Sequence, residues 1–520
     1  MSQTPDSREH QREEWGSQIG FLLAAIGSAI GLGNIWRFPG VAYTNGGGAF
    51  MVPYIVALLT AGIPILLLDY ALGHRYRGSA PTVFRRLSKK LEWLGWWQVG
   101  VCFVIMTYYA VIIAWSLRYV FYSFSTAWTS NPDGAAGFFF GDFIKIADTP
   151  TYSAQPVWNV FIPLLVIWGA VLVIIAKGVT AGVERANKIF LPILAVLFLA
   201  LVVRALFLPG SLDGLNALWT PDFSILADPK VWMAAYAQIF FSLSVGFGIM
   251  LTYASYLKPR SNLVGTGIVA AFANSSFEVL AGFGVFATLG FMAHQQGVAV
   301  ADLEGITGIS LSFITFPTII AEMPGGMIFG VMFFLSLTLA GLTSIISLVQ
   351  VVAAGVAEKF DLTPVRAAMV VGIPAAVISL GIFATTSGLY ALDVVDAYIN
   401  QIGVVGSALV MCISVALVLR KLPILARHLN VVSEVGNSIG LWWRILVAGV
   451  VPVMLIIMLG QALITFINDG YDPSYAGGFE IVFGWGMLAL TAVGTVVLTL
   501  AAWSKPIDDF TPESLEVEEN

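Results

Sequence analysis

The sequence predicts an all-α polytopic membrane protein with twelve transmembrane helices. They form a five-plus-five inverted repeat with unwound helices one and six, plus two C-terminal helices. Three observations predict it. Of 520 residues, 58% are hydrophobic and 11% charged, with a mean hydropathy of +0.86, whereas soluble domains carry about 25% charged residues. Apolar runs recur at about the 20-residue length that crosses a bilayer as a helix. Two of those runs are interrupted alike, by Gly27-Ser-Ala-Ile-Gly-Leu-Gly-Asn34 and by Ser242-Leu-Ser-Val-Gly-Phe-Gly248. Each glycine weakens a helix interior by about 1 kcal/mol relative to Ala. Matched breaks in corresponding halves of a membrane protein point to a substrate and ion site.

In chain order the apolar runs lie near 18–41, 48–72, 97–125, 156–176, 189–209, 231–257, 264–292, 326–356, 366–384, 391–419, 444–467 and 479–502. Basic residues follow the even-numbered spans: Arg75, Arg77, Arg85, Arg86, Lys89 and Lys90 after span two, Lys177, Arg185 and Lys188 after span four. Lys258 and Arg260 follow span six, Lys359 and Arg366 span eight, and Arg420, Lys421 and Arg427 span ten. The alternate loops hold Asp133, Asp142, Asp148, Asp302, Asp469 and Asp472 instead. By the positive-inside rule both termini are cytoplasmic. The expected division is a tail over 1–14, a transporter domain over 15–505 and an acidic tail over 506–520. Within the domain, repeat one covers about 15–210, repeat two about 230–420 and the extra helices about 440–503. The polar start through Glu14 carries no cleavage site, so the first span is expected to be retained. Cys102 and Cys412 both sit in apolar runs, so no structural disulfide is expected. Residues 127–155 read as a long outer loop, and 300–325, with Phe313-Ile-Thr-Phe-Pro317 and Pro324-Gly-Gly326, as a folded lid. Asp69, near Arg75 at the end of span two, reads as structural.

A helix broken at mid-membrane bares amide N–H groups on one side and carbonyls on the other. The first suit a carboxylate and the second can replace the hydration shell of Na⁺. Left unmatched in hydrocarbon, each would cost several kcal/mol. Small-residue helix seams would also account for Gly27 with Gly31, but not for a second interruption beside hydroxyls and amides.

Gly31-Leu-Gly-Asn-Ile-Trp-Arg-Phe-Pro39 followed by Asn45-Gly-Gly-Gly-Ala-Phe50 closely resembles the signature of the neurotransmitter:sodium symporter family. The resemblance continues through Gln238-Ile-Phe-Phe-Ser-Leu-Ser-Val-Gly-Phe-Gly248 and Ala340-Gly-Leu-Thr-Ser344, and covers nearly the whole chain. It is greatest to the bacterial leucine-transporter-like members. It implies two sodium ions. The first is held by Ala29, Asn34, Ser242 and Asn274 with the substrate carboxylate, and the second by Gly27, Ile30, Ala340, Thr343 and Ser344. Ser242 stands where the leucine transporter has Thr. The implied substrate site comprises Ser28, Gly31, Leu32, Gly33, Ile105, Tyr109, Phe241, Ser242, Ser244, Phe247, Ser344 and Leu348, with the Tyr109 hydroxyl on the carboxylate. Monoamine carriers of the family hold an aspartate where this chain has Gly31, so the carboxylate here belongs to the substrate. The walls carry no acid or base, which points to a neutral, mostly apolar amino acid such as leucine, alanine or methionine.

Glu278 lies one turn from Asn274 on the same helix face. Chloride-dependent relatives have serine at this position, with Tyr54, Gln238 and Ser242 as neighbours of the anion. A resident carboxylate there implies chloride-independent transport. The implied gates are an outer salt bridge between Arg37 and Asp396, with Phe241 and Tyr109 closing over the substrate. An inner cap joins Arg12, Trp15, Tyr256 and an acid ending span eight, which position for position is Glu358. The expectation is therefore sodium-coupled import by alternating access. A polytopic membrane enzyme is disfavoured because His10, His74, His294 and His428 fall in no catalytic motif; a sensor or channel stays open. Expected partners are the lipid bilayer and a small amino acid, not nucleic acid, with a homodimer or a small accessory subunit open. Outer loops without cysteines or Asn-x-Ser/Thr sites suit a bacterial inner membrane.

Overall fold

The computed structural model describes residues 13–303, 305–434, 436, 438–475, 477–507 and 510. Arg12 and most of both terminal tails lie outside the described residues. Among those described the fold is almost wholly helical, with one isolated antiparallel bridge between Pro156 and Thr385.

Ten helices among the described residues are long and apolar enough to cross a membrane: Gly47–Tyr76, Lys89–Ser123, Trp158–Ala176, Val179–Leu206, Leu263–Gln296, Gly326–Phe360, Pro364–Phe383, Gly388–Val418, Leu441–Asn468 and Gly478–Leu500. They match expected spans two to five and seven to twelve. Span one is a pair, Gln18–Ala29 and Leu32–Thr44, bent by 54° at the break, which brings the count to eleven. Span six is split into Pro229–Ser242 and Ile249–Ser255. Neither half has the length of a crossing helix, so hydropathy, which ignores the break, counts one span more than helix length does.

Spans three and eight make the most extensive helix contact and form the buried centre with one, two, six and seven. In spans four, five, nine, eleven and twelve only a third or less of the apolar window is buried, as in helices facing lipid. Cys102 and Cys412 are buried and unlinked.

The lid is helical over Gly308–Glu322. Phe313 anchors it, stacking on Phe139 of the 127–155 loop at 5.5 Å and packing on Tyr119 at 5.1 Å. It also meets Trp36 of span one at 6.4 Å, so lid, loop and broken helix share one aromatic cluster.

The opposite end is sealed by the N-terminal segment. Trp15 donates from Nε1 to the Tyr253 carbonyl at 2.8 Å and from its backbone to the Tyr256 carbonyl at 3.1 Å, with its ring against both tyrosines. Gly16 N–H and Ser17 Oγ donate to Glu184 at 2.7 and 2.9 Å. Burial pushes the Glu13 carboxyl above the usual carboxylate range, opposed by the Val179 N–H that it accepts.

Candidate substrate and ion site

The regular ladder of span one ends where Ile30 N–H bonds the Ile26 carbonyl at 2.7 Å. Ile30 and Gly31 then run extended before the helix restarts at Leu32. Two amides freed by the turn are met by side chains: Gly31 N–H donates to Asn34 Oδ1 at 2.9 Å, and Leu32 N–H to the Tyr109 hydroxyl at 3.2 Å. The Ser28 carbonyl accepts from Ser244 Oγ at 3.1 Å and Ser344 Oγ at 3.2 Å, and Ser344 Oγ is 3.5 Å from the Ile30 carbonyl. Among the described residues the carbonyls of Gly27 and Ala29 have no donor. A Cβ at Gly31 would stand 2.9 Å from Tyr109 Oη and 3.0 Å from Ser344 Oγ, so any side chain there must push those two hydroxyls aside and enter the cavity.

The break in span six, over 243–248, is held from outside. Ser244, Gly246 and Gly248 have φ of 53°, 80° and 92°, left-handed conformations that glycine adopts freely and serine at a cost. Asp69 of span two accepts from Gly246 N–H at 2.9 Å. The Gly246 carbonyl accepts from Gln98 Nε2 of span three at 3.1 Å and Ser407 Oγ of span ten at 2.8 Å. Cys102 Sγ donates to the Phe247 carbonyl at 3.2 Å. The structural part expected of Asp69 is directed at the span-six break, through Gly246, and not at Arg75.

Between the breaks lies a cavity of about 520 Å³. It is lined by all the expected substrate residues: Ser28, Gly31, Leu32, Gly33, Ile105, Tyr109, Phe241, Ser242, Ser244, Phe247, Ser344 and Leu348. It continues past Arg37 and Asp396 to Asp393, Asn400 and Tyr471, and the lid adds Gly308 to Ser310. Ile105, Phe247 and Leu348 give its lining an apolar portion.

The residues expected to hold the first sodium ion meet in a chain. Asn34 Nδ2 donates to Asn274 Oδ1 at 2.8 Å, Asn274 Nδ2 donates to Ser242 Oγ at 3.0 Å, and Ala29 lines the same cavity. Those expected at the second also converge. Gly27 backs onto Thr343, Ser344 reaches Ile30, and Thr343 Oγ1 donates to the Ala340 carbonyl at 2.9 Å. Bare carbonyls, hydroxyls and amide oxygens are hard donors that suit an alkali cation. Glu278, fully buried beside this chain, accepts from Gln238 Nε2 at 2.6 Å and from the Tyr54 hydroxyl.

The gates differ from expectation. Arg37 and Asp396 form no ion pair among the described residues. The cavity runs between them, Arg37 stacks over the Phe241 ring at 5.1 Å, and Asp396 accepts from Tyr108 Oη at 2.7 Å and Asn400 Nδ2 at 2.8 Å. The expected outer salt bridge is therefore absent from this conformation. At the inner end Trp15 and Tyr256 are in contact. Glu358 accepts from Ser79 N–H at 2.9 Å and from the hydroxyls of Ser79 and Thr82 at 2.7 and 2.5 Å, which ties span eight to helix Ala80–Leu87.

Sequence reasoning missed Gln98, Cys102, Ser407, Tyr108 and Asn400. Asp69 carried a usable signal, since an ionisable group inside a span is a functional marker by default.

The family model described as Sodium:neurotransmitter symporter family matches residues 12–134 and 127–505. A relative from Methanocaldococcus jannaschii, described as an uncharacterized sodium-dependent transporter, is 39% identical over 501 residues, covering 95% of this chain and 99% of its own. The sodium- and chloride-dependent GABA transporter 2 of Bos taurus is 31% identical over 421 residues, 75% of this chain and 70% of its own. The crystal structure of MhsT in complex with L-phenylalanine superposes with a TM-score of 0.73 at 31% identity, covering 87% of this chain and all of that one.

Proposed function

We propose a substrate and ion assignment for this chain, which belongs to the sodium:neurotransmitter symporter family, with that membership as premise. The chain is a sodium-dependent transporter and not an enzyme. The proposal is that it imports a neutral, mostly apolar amino acid with two sodium ions, without chloride, by alternating access. Both termini would lie in the cytoplasm of a bacterial cell, on the side carrying the Lys- and Arg-rich loops.

The observation that carries the reading is the break at Gly31. The second half of span one starts there with Leu32 N–H on a tyrosine hydroxyl, at the positive end of a helix dipole. A substrate carboxylate fits that end, and no side chain at position 31 competes for it. Apolar Ile105, Phe247 and Leu348 would take the substrate side chain, and a charged one would lose hydration without a partner. A neighbour solved with L-phenylalanine supports an amino acid as cargo. The sodium ions are cargo too: Ala29, Asn34, Ser242 and Asn274 would hold one, and Gly27, Ile30, Ala340, Thr343 and Ser344 the other. Glu278, held by Tyr54 and Gln238, would supply the negative charge that a chloride ion otherwise brings. With the Trp15 side sealed and the Arg37–Asp396 side apart, this conformation is the one that loads from outside.

The test is a thermal-shift screen of amino acids on the purified protein in sodium chloride, potassium chloride and sodium gluconate. Neutral apolar amino acids should stabilise it in both sodium salts and not in potassium. Stabilisation by amines lacking a carboxylate would overturn the substrate class. Loss of the shift in gluconate would overturn the role given to Glu278.

A further inference from the structure

Asn187, in Val179–Leu206 of span five, is fully buried. Its Nδ2 donates to the Val183 carbonyl one turn earlier at 2.9 Å, and this orients Oδ1 away from its own helix. Oδ1 is shielded from solvent and meets no donor among the described residues. It faces Gly27: a Cβ at that glycine would stand 2.3 Å from Asn187 Oδ1 and 3.3 Å from Thr343 Cβ. Spans one, five and eight therefore close on one point, where span one passes near enough to exclude any side chain at Gly27.

A buried amide oxygen without a donor is costly and calls for a physical reason. Packing alone offers a cheaper solution, an aliphatic residue of the same size. The neighbours supply a better reason: Gly27 and Thr343 belong to the set read above as the second sodium site, and an amide oxygen is a hard, strongly dipolar donor of the kind alkali cations take.

We propose that Asn187 Oδ1 is a further oxygen ligand of the second sodium ion, contributed by span five to a site otherwise built from spans one and eight. The proposal rests on the reading of Gly27, Ile30, Ala340, Thr343 and Ser344 as that site. With it, ion occupancy constrains a third helix, and leaving the site costs Asn187 its partner.

The experiment is a sodium titration of thermal stability and tryptophan fluorescence on the full-length purified protein, with Thr343→Ala as the marker of the site. Asn187→Ala and Asn187→Leu should each raise the sodium half-saturation about tenfold, as loss of one charged-group contact does, with amino-acid affinity at saturating sodium kept. Asn187→Asp, which keeps size and restores an oxygen, should hold sodium at least as tightly as the parent and serves if the truncated variants do not fold. An unchanged half-saturation in all three Asn187 variants, with Thr343→Ala raised, overturns the ligand role and leaves the site standing. An unchanged value in Thr343→Ala as well overturns the site itself.

Discussion

The two broken helices solve one problem in opposite ways. Span one breaks abruptly at Ile30 and Gly31, and the groups that meet its freed backbone, Asn34, Tyr109, Ser244 and Ser344, all line the cavity. The carbonyls of Gly27 and Ala29 are left over. Span six breaks over a longer stretch with three left-handed residues, and Asp69, Gln98, Cys102 and Ser407 hold it from spans two, three and ten. On the proposed assignment, unmatched backbone in the first break is what binds. In the second it is matched by fixed partners and serves as a frame. Substitutions at the partners of the span-one break should thus change binding constants, and those at Asp69, Gln98, Cys102 and Ser407, which hold the span-six backbone, should change stability.

The largest effect is expected from Gly31→Asp. Its Cβ would press within 2.9 Å of Tyr109 Oη and 3.0 Å of Ser344 Oγ, and its carboxylate would take the place assigned to that of the substrate. Sodium-dependent thermal shifts by amino acids should vanish while the protein stays folded. Undiminished amino-acid binding would break the assignment of that end of the helix. Next comes Asp69→Ala, which strips Gly246 N–H of its acceptor at a cost of about 1–3 kcal/mol. The melting temperature in detergent should fall, with the sodium half-saturation little moved. A variant of normal stability and altered sodium response would show that the frame also binds. Smallest is Ser407→Ala, because Gln98 still serves the Gly246 carbonyl. A loss of about 0.5–1.5 kcal/mol is expected, readable as a slight drop in melting temperature and no change in uptake.

What could be read in advance follows the same division. Span positions follow from runs of apolar residues, a local property, and the structure keeps their order, though the helices of spans three and five begin eight and ten residues before their apolar runs. The break in span one was legible because its glycines and Asn34 lie within about two turns of one another. Asn274 and Glu278 share a face by helix period, and both point toward Ser242 and Gln238. The frame around span six was not legible, since Asp69 and Gly246 are 177 residues apart and no periodicity links them. The outer gate failed for a different reason. Arg37 and Asp396 do face one cavity, but whether opposite charges touch depends on the conformation, and Asp396 has Tyr108 and Asn400 as alternative partners. Asn187 gave no signal, since a lone amide in an apolar run is ordinary until its neighbours are known.

The hydroxyl of Tyr109 on Leu32 N–H has one more consequence. An empty carrier must reset without its passenger, and a naked amide at mid-membrane would make that return trip steep. By resting its own oxygen there, the chain would, on the proposed assignment, trade one partner for another whenever an acid group docks or departs. Grip and release then differ by a modest sum rather than by the full strength of the contact, and a molecule that has to let go on every turn depends on that small difference.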